Sequence, residues 1–141
     1  MKKLHLKQLF LMQCLCMLSC NPEEEIHDKP IVLDTDIYLL GDEEYAEFIA
    51  LGVNEVTGDL HIDLTTVTDF SDLKDLKKVG GDFHIGTNRN LTSLIGLEQL
   101  QAIDGTFYVN GGNAIEHLLG LDALLTIGDD FVIRSAKVLQ S

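Results

Sequence analysis

Two Asp and His pairs with the same internal spacing are the residues of this sequence that first suggest chemistry. Asp59 and His61 lie in "GDLHI", and Asp82 and His84 lie in "GDFHI", 23 residues further on. Carboxylates and imidazoles bind zinc, and they also act as acids and bases in hydrolysis. The glycines in front of the second pair, Gly80 and Gly81, raise a third alternative, a phosphate-binding loop.

The glycines do not fit a phosphate-binding loop. The sequence has neither GxxxxGK followed by Ser or Thr nor a GxGxxG between a strand and a helix. Gly58 and Gly105 hold the equivalent place in neighbouring segments, directly before a predicted strand. We therefore interpret all of them as turn residues.

Both pairs belong to a repeat that runs through most of the chain. The repeated segment is "VTGDLHI" from Val56, "VGGDFHI" from Val79, "IDGTFYV" from Ile103 and "IGDDFVI" from Ile127, with spacings of 23, 24 and 24 residues. A second apolar block keeps the same period, at Val67, Phe70, Leu73, Leu76, then Leu91, Leu94, Leu97, Leu100, then Ile115, Leu118, Leu121, Leu124. A fixed period of this length is typical of a solenoid.

The apolar pattern within a unit predicts β structure. Phe83 and Ile85 alternate with Asp82 and His84, which indicates a half-buried strand. The second block has an apolar residue at every third position, which favours short strands joined by tight bends over a helix. We expect Gly96 and Gly120 to supply the unusual φ angles of those bends.

One helix is predicted before the first complete unit, in "GDEEYAEFIALG". Asp42 is the expected N-cap, and Gly52 is expected to end the helix. Tyr45, Phe48 and Ile49 would share one face, and we expect the helix to cover the open end of the solenoid.

The series "VTGDLHI", "VGGDFHI", "NLTSLIGLEQLQAI" and "HLLGLDALLTI" behind a short helix resembles the receptor L-domain type of leucine-rich repeat. That family includes a variant in bacterial surface lipoproteins, and the resemblance covers about Asp36 to Ile133. It implies an all-β solenoid, a right-handed parallel β-helix of about three and a half coils, with a non-enzymatic and often ligand-binding role. The disulfide-rich module that follows receptor L-domains is not present in this sequence.

The first residues read as an export signal. Lys2, Lys3 and Lys7 precede an apolar run, and "MLSC" ending at Cys20 resembles the lipobox of bacterial lipoproteins. We expect a signal peptide over residues 1–19, lipidation of Cys20 and an acidic tether over 20–33, with an ordinary cleaved signal or an uncleaved anchor as the alternatives. The Glu run at 23–25 favours an outer-membrane lipoprotein displayed at the cell surface, with a periplasm-facing location as the alternative.

The charge balance limits the partners. The 141 residues carry a formal net charge of −13, which repels nucleic acid and anionic membrane surfaces. We therefore expect no nucleic-acid partner, a membrane partner only through the lipid, and a protein or glycan ligand.

If the units stack, one outward face collects the polar side chains and becomes the candidate ligand-binding face. Its members are Asp59, His61, Asp82, His84, Thr106, Tyr108, Asp130 and Arg134. A flat strand face rarely offers tetrahedral geometry, so we expect no metal, and we also expect no cofactor and no catalytic residues. The carboxylates follow the period of the scaffold, whereas a catalytic pair should stand apart from it.

The predicted organisation is an N-terminal strand and capping helix over 34–55 and β-helical repeats over 56–141, incomplete at the C-terminus. The fourth repeat breaks off at Ser141, so we expect either a truncated sequence, which we favour, or an end covered by self-association or by a partner. The alternatives to a binding scaffold are a glycan-active enzyme fragment of the β-helix type and a truncated remnant without independent function.

Overall fold

The computed structural model describes residues 29–110, 115 and 117–134. The predicted signal peptide, the lipidation site Cys20 and nearly all of the predicted tether lie outside the described residues. The described part is mostly β, with two parallel sheets of short strands and one α-helix. None of its helical segments is long and apolar enough to cross a membrane.

Each repeat unit contributes one strand to each of the two sheets. The first sheet consists of β1 (Val32–Leu33), β3 (Glu55–Val56), β5 (Lys78–Val79), β7 (Ala102–Ile103) and β9 (Thr126–Ile127). The second sheet consists of β2 (Ile37–Leu39), β4 (Leu60–Ile62), β6 (Phe83–Ile85), β8 (Phe107–Asn110) and β10 (Phe131–Arg134). In both sheets, strands from successive units are neighbours and run parallel.

The sequence analysis predicted one strand where the structure has two. Between β5 and β6, the pair Gly80 and Gly81 bends the chain from the first sheet into the second, as expected of turn residues. The predicted tether also ends too late, because Val32 and Leu33 of β1 already pair with β3. Two strands, and not one, therefore precede the helix.

The strand register follows the sequence period. Leu60 lies opposite Phe83, and Phe83 lies opposite Phe107, so equivalent residues of successive units are direct neighbours. All three side chains are buried in the core. The residues that alternate with them point away from the core, which is the arrangement that the alternating pattern predicted.

Aspartate and glycine residues lock successive units together. The amide of Asp82 donates to the carboxylate of Asp59 in the preceding unit (2.8 Å), and the amide of Thr106 donates to Asp82 (2.7 Å). The carboxylate of Asp59 occupies the space that a Cβ would need at Gly81. A Cβ there would also lie 2.9 Å from backbone atoms of Gly58 and Asp59, so the unit before it requires glycine at this position.

The second apolar block does not form the predicted strands, and it is less buried in the last unit, where Leu118, Leu121 and Leu124 are half-buried. Leu91, Leu94, Leu97 and Leu100 are fully buried, and the described residues between them form turns and irregular backbone. In an earlier unit, a single 3-10 turn forms at Ser71–Leu73. Backbone amides bond three residues back in this block, as Leu97 does to Leu94, so a period of three produces tight turns.

The bends of the second block depend on glycine, as predicted. Gly96 and Gly120 have φ angles of 105° and 108°, in the region that L-residues avoid. A Cβ at Gly96 would also overlap the carbonyl oxygen of Phe70 in the preceding unit. The units are thus packed backbone against backbone at these bends.

Helix α1 spans Asp42–Leu51 and packs against β2. Its N-cap is Gly41 and not the predicted Asp42, because the carboxylate of Asp42 instead accepts bonds from the amide (2.7 Å) and hydroxyl (2.9 Å) of Thr66. The left-handed Gly52 ends the helix, as predicted. The helix buries Tyr45 near Phe70 of the following unit, with 6.4 Å between ring centroids.

One polar side chain is fully enclosed in the core. Asn88 has no exposed surface, and its side-chain oxygen accepts bonds from the amide and the hydroxyl of Thr65, at 2.9 and 2.7 Å. Its amide nitrogen donates to the carbonyl of Ile62 at 3.0 Å. Three hydrogen bonds therefore satisfy this buried side chain and tie two successive units together.

Candidate binding face

The structure places His61, His84, Tyr108 and Arg134 in strands of the second sheet. The other four predicted face residues directly precede strands β4, β6, β8 and β10: Asp59, Asp82, Thr106 and Asp130. The eight residues fall into columns that run across the strands. The first column holds Asp59, Asp82, Thr106 and Asp130, and the second holds His61, His84 and Tyr108 with Val132 at its end. Arg134 lies opposite Asn110, in a third column.

The second column is a continuous row of aromatic rings, which we call the ring column: Tyr38, His61, His84 and Tyr108. Successive centroids lie 4.6, 5.3 and 4.6 Å apart, and the first two pairs are close to parallel, with interplanar angles of 12° and 24°. These separations match the roughly 4.8 Å between neighbouring strands. The sheet therefore sets the stacking distance.

Tyr38 was missed by the sequence analysis. It lies opposite His61 in the register, and its side chain is 41% exposed. The repeat could have identified Tyr38, because Asp36 and Tyr38 in "DIYL" precede Asp59 and His61 in "DLHI" by 23 residues. The glycine that marks the later units is replaced by Thr35 in this first one.

Arg134 closes the other end of the ring column. Its guanidinium carbon lies 5.6 Å from the ring centroid of Tyr108, within the range of a cation–π contact. The faces of His61 and His84 are covered by their neighbours in the row. The inner rings therefore present mainly their edges to solvent, which suits hydrogen bonding better than stacking of a ligand on a ring face.

The carboxylates of the first column are engaged with the backbone. Asp36, Asp59 and Asp82 each accept a bond from the amide of the next unit, at 3.0, 2.8 and 2.7 Å. One oxygen of each carboxylate is thereby fixed, and the other can still accept a bond from a ligand. Asp130, in the last described unit, is exposed.

The ring column has one titrating group with a shifted pKa. Partial burial lowers the pKa of His84 below its usual value, and the neighbouring His61 lowers it further, while Asp63 and Asp82 act in the opposite direction. Neutral imidazole is thus favoured at this position near neutral pH. A neutral ring can both donate and accept a hydrogen bond.

The arrangement does not assemble a metal centre. Within the described ranges, no three His, Cys, Asp or Glu side chains are grouped so that they could hold one ion. His61 and His84 stack on each other, with 5.3 Å between their ring centroids. The face is a row of hydrogen-bonding edges beside a row of carboxylates.

No family model, curated protein or solved structure matches this chain.

Proposed function

We propose that this chain is a lipid-anchored, non-catalytic binding scaffold of the cell envelope that recognises a protein or glycan ligand through the outward face of its second sheet. The ring column is the observation that carries the proposal. Four neighbouring rings in register with the strands, of which Tyr38, His61 and His84 are stacked, hold one another in place. Such preorganisation lowers the entropy cost of binding.

The chemistry of the face supports a ligand rich in hydrogen-bonding groups. The tyrosine hydroxyls and imidazole nitrogens of the ring column both donate and accept, and the carboxylates of Asp59 and Asp82 beside them accept only. Arg134 adds a fork of donors at one end. Hydroxyl groups of a glycan or the backbone of an extended peptide would meet both kinds of partner along the face.

The proposal includes the finer fold, a right-handed parallel β-helix of the receptor L-domain type. Parallel pairing of equivalent strands from successive units supports it, as does the period of 23 or 24 residues. A stack of this kind buries the apolar face of each unit against the next one.

The anchor and the location rest on the sequence. The basic start, the apolar run and the lipobox-like "MLSC" support lipidation of Cys20, and the Glu run at 23–25 supports display at the cell surface. The periplasm-facing location remains the alternative. The non-catalytic role is supported by Asp59 and Asp82, whose carboxylates take part in the interlock that repeats with the scaffold.

A binding screen tests the proposal. The full chain in mild detergent is applied to a glycan panel and to a panel of envelope and cell-surface proteins. The double variant Tyr38→Ala/Tyr108→Ala removes both ends of the ring column, and we expect it to weaken any saturable binding at least ten-fold, since tyrosine is a frequent binding hot spot. Ile95→Ala is the matched control, because Ile95 is 41% exposed and lies in neither sheet.

Two outcomes count against the proposal. Binding that the double variant leaves unchanged would place the ligand elsewhere on the chain. Turnover of any glycan on the panel would refute the non-catalytic role.

A further inference from the structure

Among the described strands, the last one of the second sheet has no partner along one edge. In the described part of the chain, β10 pairs with β8 on one side only. The carbonyl of Asp130 accepts the amide of Phe107 at 2.8 Å, so the backbone of Asp130, Val132 and Arg134 faces β8. Because backbone groups alternate in direction along a strand, Phe131 and Ile133 direct their N–H and C=O groups to the free edge.

The same edge exposes core-type apolar surface. Phe131 continues an inner stack of Phe83 and Phe107, with centroid separations of 5.2 and 5.1 Å. Phe83 and Phe107 are fully buried, whereas Phe131 is 43% exposed. Unpaired backbone groups beside an exposed core ring form the kind of edge that pairs with another chain.

The residues of this edge match a second copy of themselves. We infer that β10 pairs antiparallel with β10 of a second copy, about a two-fold axis that passes through Val132. Residues equally distant from the axis then face each other, so each Phe131 meets Ile133 of the other copy. Each Asp130 likewise meets Arg134 of the other copy, which gives two apolar pairs and two ion pairs.

The backbone pattern agrees with this register. In an antiparallel pair, hydrogen-bonded residue pairs alternate with pairs that share no bond. The hydrogen-bonded pairs would be Phe131 with Ile133 of the other copy, because the backbone N–H and C=O groups of these residues point to the free edge. The pair without hydrogen bonds would be the two Val132 residues, whose backbone groups already face β8. An axis through Phe131 would instead oppose Asp130 to Val132 and leave the charges unmatched.

Such a dimer would also extend the candidate binding face. Asp130, Val132 and Arg134 lie on the outward side of the sheet, as the ring column does. Pairing of the two β10 strands would therefore join the outward faces of two copies into one surface. The pairing stands on the edge alone and does not depend on the function proposed above.

Charge exchange tests the pairing. The full chain, in detergent at large excess over protein, is followed by sedimentation equilibrium over a range of concentrations. We expect a monomer–dimer equilibrium for the natural sequence. Asp130→Arg and Arg134→Asp each place like charges opposite each other twice, and each should raise the dimer dissociation constant by about ten-fold or more.

Two further samples separate this register from general charge effects. The double variant Asp130→Arg/Arg134→Asp restores both ion pairs and should recover the natural dissociation constant. An equimolar mixture of the two single variants should form a heterodimer, because every facing pair then has opposite charges. Asp129→Arg changes the net charge by the same amount as Asp130→Arg, lies outside the matched residues and should leave dimerisation unchanged.

Either of two results would overturn the inference. The unaltered chain would remain monomeric at all concentrations, or the double variant would dimerise no more tightly than the single variants. Far-UV circular dichroism of each variant verifies that the β structure is retained.

Discussion

Replacement of Asn88 by alanine tests how the units are held together. The substitution removes three hydrogen bonds from a site without solvent access. Ile62 keeps a second bond to its carbonyl from the amide of Gly86, but the amide of Thr65 loses its acceptor. A buried unsatisfied donor costs about 1–3 kcal/mol and each lost bond about 1 kcal/mol, so we expect Asn88→Ala to lower the free energy of unfolding by about 3 kcal/mol.

The measurement is urea unfolding followed by far-UV circular dichroism. Asn90→Ala is the matched control, because Asn90 is exposed and makes only a long 3.4 Å bond to the carbonyl of Thr66. We expect that control to stay within about 0.5 kcal/mol of the natural sequence. Equal unfolding midpoints for the two variants would refute the buried network.

A second substitution at the same position refines the test. Asn88→Asp keeps the acceptor oxygen for Thr65 but places a carboxylate beside the carbonyl of Ile62. Protonation would restore a donor toward that carbonyl. We therefore expect the destabilisation caused by Asn88→Asp to be smaller at pH 4 than at pH 7, and the opposite order would contradict the proposed bonding.

Two other predictions address the bends and the ring column. Gly96→Ala and Gly52→Ala both place a side chain at a positive φ, but only at Gly96 would the Cβ overlap backbone, so we expect a loss of about 1 kcal/mol at Gly52 and at least about 3 kcal/mol at Gly96. Similar unfolding midpoints would contradict the close packing at Gly96. Because partial burial lowers the pKa of His84 in the folded state, the unfolded chain binds a proton there more readily, and the contribution of His84 to stability falls as the pH drops below about 6.5. His84→Gln should lose less stability than the natural sequence between pH 7 and pH 5, and parallel pH profiles would show that His84 does not titrate as inferred.

The sequence period predicted the columns of the sheet but not the way in which the units turn. His61, His84 and Tyr108 are neighbours because a register of 23 or 24 residues brings equivalent positions together, and this is readable from the sequence alone. Asn88 could not be recognised in the same way. It follows a strand in "GTN", a segment typical of exposed loops, and it is buried against Thr65 and Ile62 of the preceding unit.

Asp42 shows a related limit of sequence reasoning. Local preference favours Asp as an N-cap, but the hydroxyl and amide of Thr66, 24 residues away, compete for its carboxylate. The division of each unit into two strands was also hidden, since strands of two residues such as Lys78–Val79 show no alternation. Contacts between units therefore determine the N-cap and the strand boundaries, which the residue pattern within one unit does not predict.

The aspartate and glycine interlock bears on how such a chain can change in evolution. Three of the four described junctions use the same match, since Asp36, Asp59 and Asp82 fill the space left at Gly58, Gly81 and Gly105. At the last junction the equivalent positions are Thr106 and Asp129. Among those three junctions, a gene rearrangement that adds or removes one whole unit would join an aspartate to a glycine as before. A shift of one residue would break that match and reverse every side chain of the strand. The number of units can therefore vary, whereas the register between the strands of successive units cannot. Duplication or loss of complete units is the route by which this architecture can gain or lose length.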